Sequence, residues 1–169
     1  ILIYIMKAIC VLTNNNPGIT GHIEFIKQKN NMSVKVKVEG LNPGNNGIHI
    51  HTKGNLLEGC STLCSHFNPY NTNHGARENN KENRHVGDLG NIQADKHGKV
   101  DITFTDKLIK LNGKCNIIGR SVVIHEDEDD LGIAGLDNNG NIIDIKKNKE
   151  SNKTGNAGKR IACGVIGWF

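Results

Sequence analysis

An all-β domain, an antiparallel sandwich or flattened barrel of eight strands with two long functional loops, is what this sequence predicts. Three observations predict it. Short apolar or alternating stretches recur at near-regular spacing, punctuated by Gly, Asn and Pro. Gly is abundant at 20 residues while aromatics are scarce (four Phe, two Tyr, one Trp), a mix suited to strands and turns. Two stretches, Lys53 to His85 and Asp127 to Arg160, lose all periodicity, and loops longer than about 15 residues are uncommon unless they are functional or tied down.

The strands follow in order. Lys7–Thr13 is a first strand, closed by Asn14-Asn15-Asn16-Pro17-Gly18, and Thr20–Gln28 a second, ending in Lys29-Asn30-Asn31. In Ser33–Glu39, Val34, Val36 and Val38 face one way and Lys35, Lys37 and Glu39 the other, the signature of a half-buried antiparallel strand. Asn42 to Gly47 reads as a connection before the strand Ile48–Thr52. Strands resume at Leu89–Ala94, turn through Asp95-Lys96-His97-Gly98 and return at Val100–Asp106. Gly119–Glu126 and Ala162–Phe169 complete the set; no helix of normal length is expected, and no internal repeat is present.

At 169 residues the chain makes one domain, residues 7–169, large enough for an apolar core. Residues 1–6 read as an N-terminal extension with Met6 as the natural start, which predicts a cytoplasmic protein. The rival is a signal remnant in Ile1–Ile5, which would predict secretion, but five apolar residues fall short of a signal core. No stretch reaches membrane-spanning length, so no membrane role is expected. The net charge of +4 is modest and the basic residues form no stripe, which argues against nucleic acid as a partner. A positive field still suits a small anionic substrate.

Six of the eight histidines fall in one pattern with an aspartate: His49, His51, His66, His74, His85, Asp88 and His125. Imidazoles plus one carboxylate suit zinc and copper, whereas magnesium or calcium would want oxygen. Seven ligands are too many for one tetrahedral ion, so the set predicts two metals. His49 and His51, two apart on a strand, share a face and converge on one ion. His22, in a strand beside Glu24, and His97, in a polar turn, are expected to bind none. Five cysteines exclude a fully paired framework; Cys10 reads as a buried small hydrophobe, and spacing alone leaves the pairing of the others open.

The same loops carry recognisable motifs: Gly47-Ile48-His49-Ile50-His51, Gly59-Cys60, His66-Phe67-Asn68-Pro69, His74-Gly75 and Arg84-His85-Val86-Gly87-Asp88-Leu89-Gly90-Asn91. Later come Ile117-Ile118-Gly119-Arg120, Val122-Val123-Ile124-His125-Glu126, Asp129-Asp130-Leu131-Gly132, Lys153-Thr154-Gly155-Asn156-Ala157-Gly158-Lys159-Arg160 and Ala162-Cys163-Gly164-Val165-Ile166-Gly167. On these the chain resembles the copper/zinc superoxide dismutases from Met6 to Trp168.

The resemblance implies a Greek-key barrel with one copper and one zinc per subunit. It puts copper on His49, His51, His66 and His125, and zinc on His66, His74, His85 and Asp88, with His66 bridging the two. It gives Asp129 the task of orienting one ligand of each metal, Arg160 that of holding a small anion, and Cys60 and Cys163 a disulfide. The implied reaction is dismutation of superoxide to dioxygen and hydrogen peroxide by alternating reduction and reoxidation of copper, with His66 passing a proton. Lysines of the second loop, including Lys153, would add to the attraction.

It also implies a homodimer through Gly54, Ile118, Gly119 and the C-terminal strand, and copper delivery by a chaperone. Several residues depart from the family pattern. Asn46 stands where a histidine is usual, Lys53 where an aromatic is common, Trp168 where a small aliphatic is usual, and Lys149 where a carboxylate is common. The second loop is longer than usual through Leu136–Lys149, and Cys64 is an extra thiol. Two other readings compete. A copper chaperone with a similar domain would need a further Cys-pair domain, and a non-catalytic relative would lack a ligand or the arginine; this chain keeps both.

Overall fold

Alternation along the chain builds the sheet. In this computed structural model, which describes residues 6–12 and 17–169, β3 (Met32–Glu39) buries Val34, Val36 and Val38 and turns Lys35 and Lys37 outward, as the pattern predicts. The other strands are β1 (Lys7–Val11), β2 (Thr20–Lys27), β4 (Gly44–His51), β5 (Asp88–Ala94), β6 (Val100–Asp106), β7 (Ser121–His125) and β8 (Arg160–Trp168). All eight anticipated strands are present, with ends shifted by a few residues. The largest shift is at β4, which begins at Gly44, inside the stretch read as a connection. The readings on Ile1–Ile5 and Thr13–Asn16 lie outside the described residues.

The strands form one antiparallel sheet in the order β5–β4–β7–β8–β1–β2–β3–β6. β8 pairs with both β7 and β1 and so joins the two halves, while the outer strands β5 and β6 approach each other and nearly close the barrel. β7 lies between β4 and β8 although the chain reaches it from β6 at the far edge, a Greek-key crossing. The interior is one aliphatic core, with Ile23, Phe25, Ile48, Ile50, Leu89, Ile92, Val122 and Ile124 fully enclosed.

β4 and β7 are buried on both faces, and this positions the site. Ile48 and Ile50 enter the core, whereas His49 and His51 point out of the barrel and are covered by the two long loops. A 3₁₀ turn, Gly59–Leu63, packs Cys60 and Leu63 over Val123 and Cys163 on the outside of β7 and β8.

One expectation is corrected. The second loop contains a helix, α1 (Ile145–Thr154), started by Asp144, whose side chain accepts the Lys147 N–H at 2.9 Å, and ended by Gly155 at φ +68°. Its inward face is polar: Ser151 Oγ donates to Asp130 Oδ1 at 2.6 Å, and Asn148 Nδ2 to the Ala134 carbonyl at 3.1 Å. A helix held by caps and buried amides leaves no apolar period to read.

Candidate metal centre

The first long loop is tied to β4 by backbone bonds before any metal is considered. Phe67 N–H donates to the Ile50 carbonyl at 2.8 Å, Ile50 N–H to Gly87 at 2.8 Å, and Gly87 N–H to Phe67 at 2.9 Å. The barrel-side face of Gly87 explains the residue: a Cβ there would meet the Ile50 carbonyl oxygen at 2.2 Å. Arg120 pins the start of the loop, donating to the Thr52 carbonyl at 2.7 Å while its guanidinium lies 3.6 Å from the Phe67 ring centroid.

All seven predicted ligands converge. His49, His51, His66 and His125 form one buried group and His66, His74, His85 and Asp88 another, each with its ligand atoms within 4.8 Å of one another. His66 belongs to both, its ring centroid 3.9 Å from that of His49 and its Nδ1 2.9 Å from Asp88 Oδ1. His22 and His97 stand apart, the first beside Glu24 at 3.3 Å, the second in an exposed turn.

Each ring has one nitrogen fixed and the other left over. His51 Nδ1 donates to the Cys64 carbonyl at 2.8 Å and His125 Nδ1 to Gly158 at 3.1 Å, so each Nε2 keeps its lone pair. His49 Nε2 and His74 Nε2 donate to the two oxygens of Asp129, both at 2.7 Å, which leaves their Nδ1 atoms. Those remaining nitrogens, His49 Nδ1, His51 Nε2, His74 Nδ1 and His125 Nε2, are buried without a hydrogen-bond partner. His74 Nδ1 lies 3.0 Å from Asp88 Oδ1 but off the line of a hydrogen bond. Orphaned lone pairs on the converging imidazoles of His49, His51 and His125 fit soft or borderline cations and little else.

Asp88 and Asp129 organise the electrostatics. Asp88 Oδ1 faces Nδ1 of His66, His74 and His85 at 2.9, 3.0 and 3.1 Å, and Oδ2 accepts the N–H groups of His85 at 2.7 Å and Gly75 at 3.1 Å. Burial pushes the Asp88 carboxyl up, but the imidazoles of His66, His74 and His85 gathered around it outweigh that and hold the group well below its ordinary range. Asp129 is likewise lowered, burial being overcome by His49 and His74. Burial lowers His74 too, yet its bond to Asp129 and the charge of Asp88 beside it win and raise it to about 10. His66, buried and beside His49, falls to about 3, and His125, buried, to about 4.

Three features of the site were not assigned from sequence. Asn91 clamps Asp129, accepting its N–H at 2.8 Å and donating to its carbonyl at 2.9 Å. Asn46 donates to the carbonyls of His125 at 2.9 Å and Glu126 at 3.1 Å. Gly155 must lack a side chain, since a Cβ would stand 2.1 Å from Asp129 Oδ1 and 2.5 Å from His74 Nε2. The motifs around Asp129 and Gly155 contain the last signal, but only the fold shows what they touch.

An open mouth of about 520 Å³ leads to the first group, lined by His51, His66, His125, Lys153 and Arg160. Arg160 is gripped at its base: Nη1 donates to the Cys60 carbonyl at 2.8 Å and Nη2 to that of Cys64 at 2.6 Å. Cys60 is bonded to Cys163 across 103 residues, so the disulfide anchors the 3₁₀ turn to β8 beside Arg160. Cys10, Cys64 and Cys115 are free, Cys10 buried as expected.

The comparisons with known proteins agree with this geometry. The family model described as copper/zinc superoxide dismutase matches residues 19–166. A superoxide dismutase [Cu-Zn] of Paramecium bursaria Chlorella virus 1 is 48% identical over 164 residues, 96% of this chain and 79% of the relative. An extracellular superoxide dismutase [Cu-Zn] of Drosophila melanogaster is 47% identical over 91% of this chain and 78% of its own. The crystal structure of the clock protein EA4 matches with a TM-score of 0.83 at 42% identity, over 96% of this chain and 94% of that one. With its barrel, its two histidine groups and these relatives, the chain is an oxidoreductase of the copper/zinc superoxide dismutase family.

Proposed function

We propose that each subunit holds one copper ion on His49, His51, His66 and His125 and one zinc ion on His66, His74, His85 and Asp88, and that superoxide is dismutated at the copper side. The observation that carries this reading is His66, shared by two four-donor groups, one of which faces the mouth that holds Arg160. When bound, copper supplies a one-electron couple that takes an electron from one superoxide and returns it to the next, and zinc supplies a redox-inert charge.

The chain's own residues bind, orient and move protons. Arg160 uses two N–H groups on carbonyls and keeps others for a small anion. Lys153, exposed at the same mouth, extends the positive field. His66 offers Nε2 to the mouth because Nδ1 is held toward Asp88; when Nε2 is not serving as a ligand it carries a proton and hands it to the departing peroxide, solvent in the mouth giving the second proton. Two superoxide anions and two protons become one dioxygen and one hydrogen peroxide. Asp129 and Asn91 keep His49 and His74 aimed throughout.

Copper and zinc stoichiometry of the purified protein, measured beside superoxide consumption, tests the assignment. One equivalent of each with full activity is expected; a fully loaded but inactive protein, or parental activity after His66→Ala, overturns it.

The same reading extends to a homodimer through Gly54, Ile118, Gly119 and β8. Trp168, 57% exposed at the end of β8, supports it by offering apolar area there. Lys53 is exposed beside Gly54 and must reach solvent at the rim. Sedimentation equilibrium of the loaded protein decides between one copy and two. Cys64, exposed and unpaired, favours a cytoplasmic setting, with copper delivered there by a chaperone.

A further inference from the structure

A second cleft, of about 690 Å³, lies on the zinc-ligand side of the substrate mouth, between α1 and the loop segment Ser65–Asn73. Ile145, Lys149 and Lys153 succeed one another at four-residue spacing and so form one stripe of α1 along it. Ile142 adds a second apolar side chain at the Ile145 end; the two isoleucines are 58% and 78% exposed. Asn68, Thr72, His66 and His85 line it as well.

Two properties of this cleft point to a ligand. The lysine and arginine ion pairs among the described residues include neither Lys149 nor Lys153, so both ammonium groups are free to take an anion. Glu150, between them in sequence, lines the neighbouring mouth and not the cleft. Two isoleucines in water at the other end are an apolar surface awaiting cover, and the volume lies in the range of small-molecule sites. A cation pair on one helical stripe, with an apolar pair at the stripe's N-terminal end, matches a ligand with a charged head and a short hydrocarbon tail.

We propose that this cleft binds a small amphipathic anion, a carboxylate bearing an aliphatic chain, with its head between Lys149 and Lys153 and its tail on Ile142 and Ile145. The two cavities share Ser65, His66 and Lys153. A bound anion therefore neutralises Lys153 at the edge of the substrate mouth and slows superoxide capture; this second consequence rests on the proposed role of that mouth. The ligand is a free small molecule rather than a bilayer, because the cleft has the volume of a small-molecule site and is bounded by one helix stripe and one loop segment.

Calorimetric titration of the copper- and zinc-loaded full chain with octanoate, acetate and 1-octanol tests the site. Octanoate is expected to saturate at one per chain and to bind at least about tenfold more tightly than acetate or 1-octanol, since only octanoate satisfies both ends of the stripe. The double variant Ile142→Ser with Ile145→Ser, at exposed positions, should keep the thermal midpoint and lose about tenfold in affinity. Equal binding of acetate, unchanged affinity in that variant, or a shift of the copper absorption band on octanoate addition each overturns the site. Binding to phosphatidylserine vesicles without binding of octanoate overturns it too, and makes the stripe a lipid-facing surface. Inhibition by octanoate at low salt, absent from the double variant, supports the regulatory half; saturable binding with no change in rate overturns that half and leaves the site standing.

Discussion

His51 and Arg160 share one acceptor. The Cys64 carbonyl takes the His51 Nδ1–H at 2.8 Å and the Arg160 Nη2–H at 2.6 Å, so a candidate copper ligand and the guanidinium proposed to hold the anion are set by a single oxygen. Cys64 holds that oxygen in place from φ +62° and ψ −154°, backbone that suits glycine better than any residue with a Cβ.

Cys64→Gly should therefore stabilise the protein by about 1 kcal/mol, the relieved strain exceeding the added freedom of the unfolded chain. The thermal midpoint should rise by roughly 2–4 °C with activity retained. Cys64→Val, β-branched at the same φ, should lower both. A fall in midpoint for Cys64→Gly would show that the thiol makes a compensating contact.

His125→Ala should reduce dismutation to roughly a few per cent or less while zinc stays bound, because His125 stands in the first donor group only. Metal analysis with an activity assay checks both halves. Appreciable activity with full copper loading would remove His125 from the machinery.

Substitutions of Arg160 should rank by charge and shape. Lysine keeps much of the activity, alanine loses roughly tenfold in kcat/KM, and glutamate loses most because the anion then meets a like charge. The parent rate should fall as salt rises. Parental activity of Arg160→Glu at low salt would mean that the lysines of α1 supply the guidance.

Zinc removal should loosen residues 53–88 far more than the barrel. Apart from Leu63, Phe67 and Val86 the segment buries little large apolar surface, and it is held by backbone bonds to β4 and by Asp88. Hydrogen exchange with and without a chelator should show deprotection confined there; uniform deprotection of the strands would contradict it.

Acid should destabilise the metal-free chain, beginning near neutrality. His66 and His125 are held to about 3 and about 4 by burial, whereas unfolded histidine titrates near 6.5. Between those values the unfolded chain binds more protons, so stability is full above about pH 6.5 and falls as pH drops toward 4. His74 runs the other way: raised to about 10, its contribution is complete below 6.5 and fades only as pH rises toward 10. The carboxyls of Asp88 and Asp129, lowered in the fold, contribute until still lower pH. Urea midpoints of the metal-free protein at pH 7, 5.5 and 4 should decline in that order; a flat series would show that these imidazoles are protonated in the native state.

Period-two patterning made the barrel legible because strands with one buried face must alternate, and Val34, Val36 and Val38 do so without exception. The donor set was legible for a different reason: few residue types can hold copper or zinc, so six histidines and Asp88 stand out wherever the fold puts them. What escaped was structure made from groups every residue carries. The carbonyls of Cys64 and Gly158 orient ligands yet leave no mark in the side-chain sequence. α1 escaped because Asn148 and Ser151, not aliphatic residues, fill its inner face.

Asp129 receives one imidazole on each oxygen, His49 on one side and His74 on the other, and these rings lie in different donor groups. A carboxylate is rigid and planar, so turning one ring tilts the plane on which the second is aimed. On the proposed assignment the two sites should fill as a sequence with memory: the first ion to arrive fixes Asp129, and the second finds its ring already oriented. Titrating either metal into the other's half-loaded form should give a steeper curve than titrating it into the empty chain, and Asp129→Asn, which can accept from only one ring, should make the two curves alike.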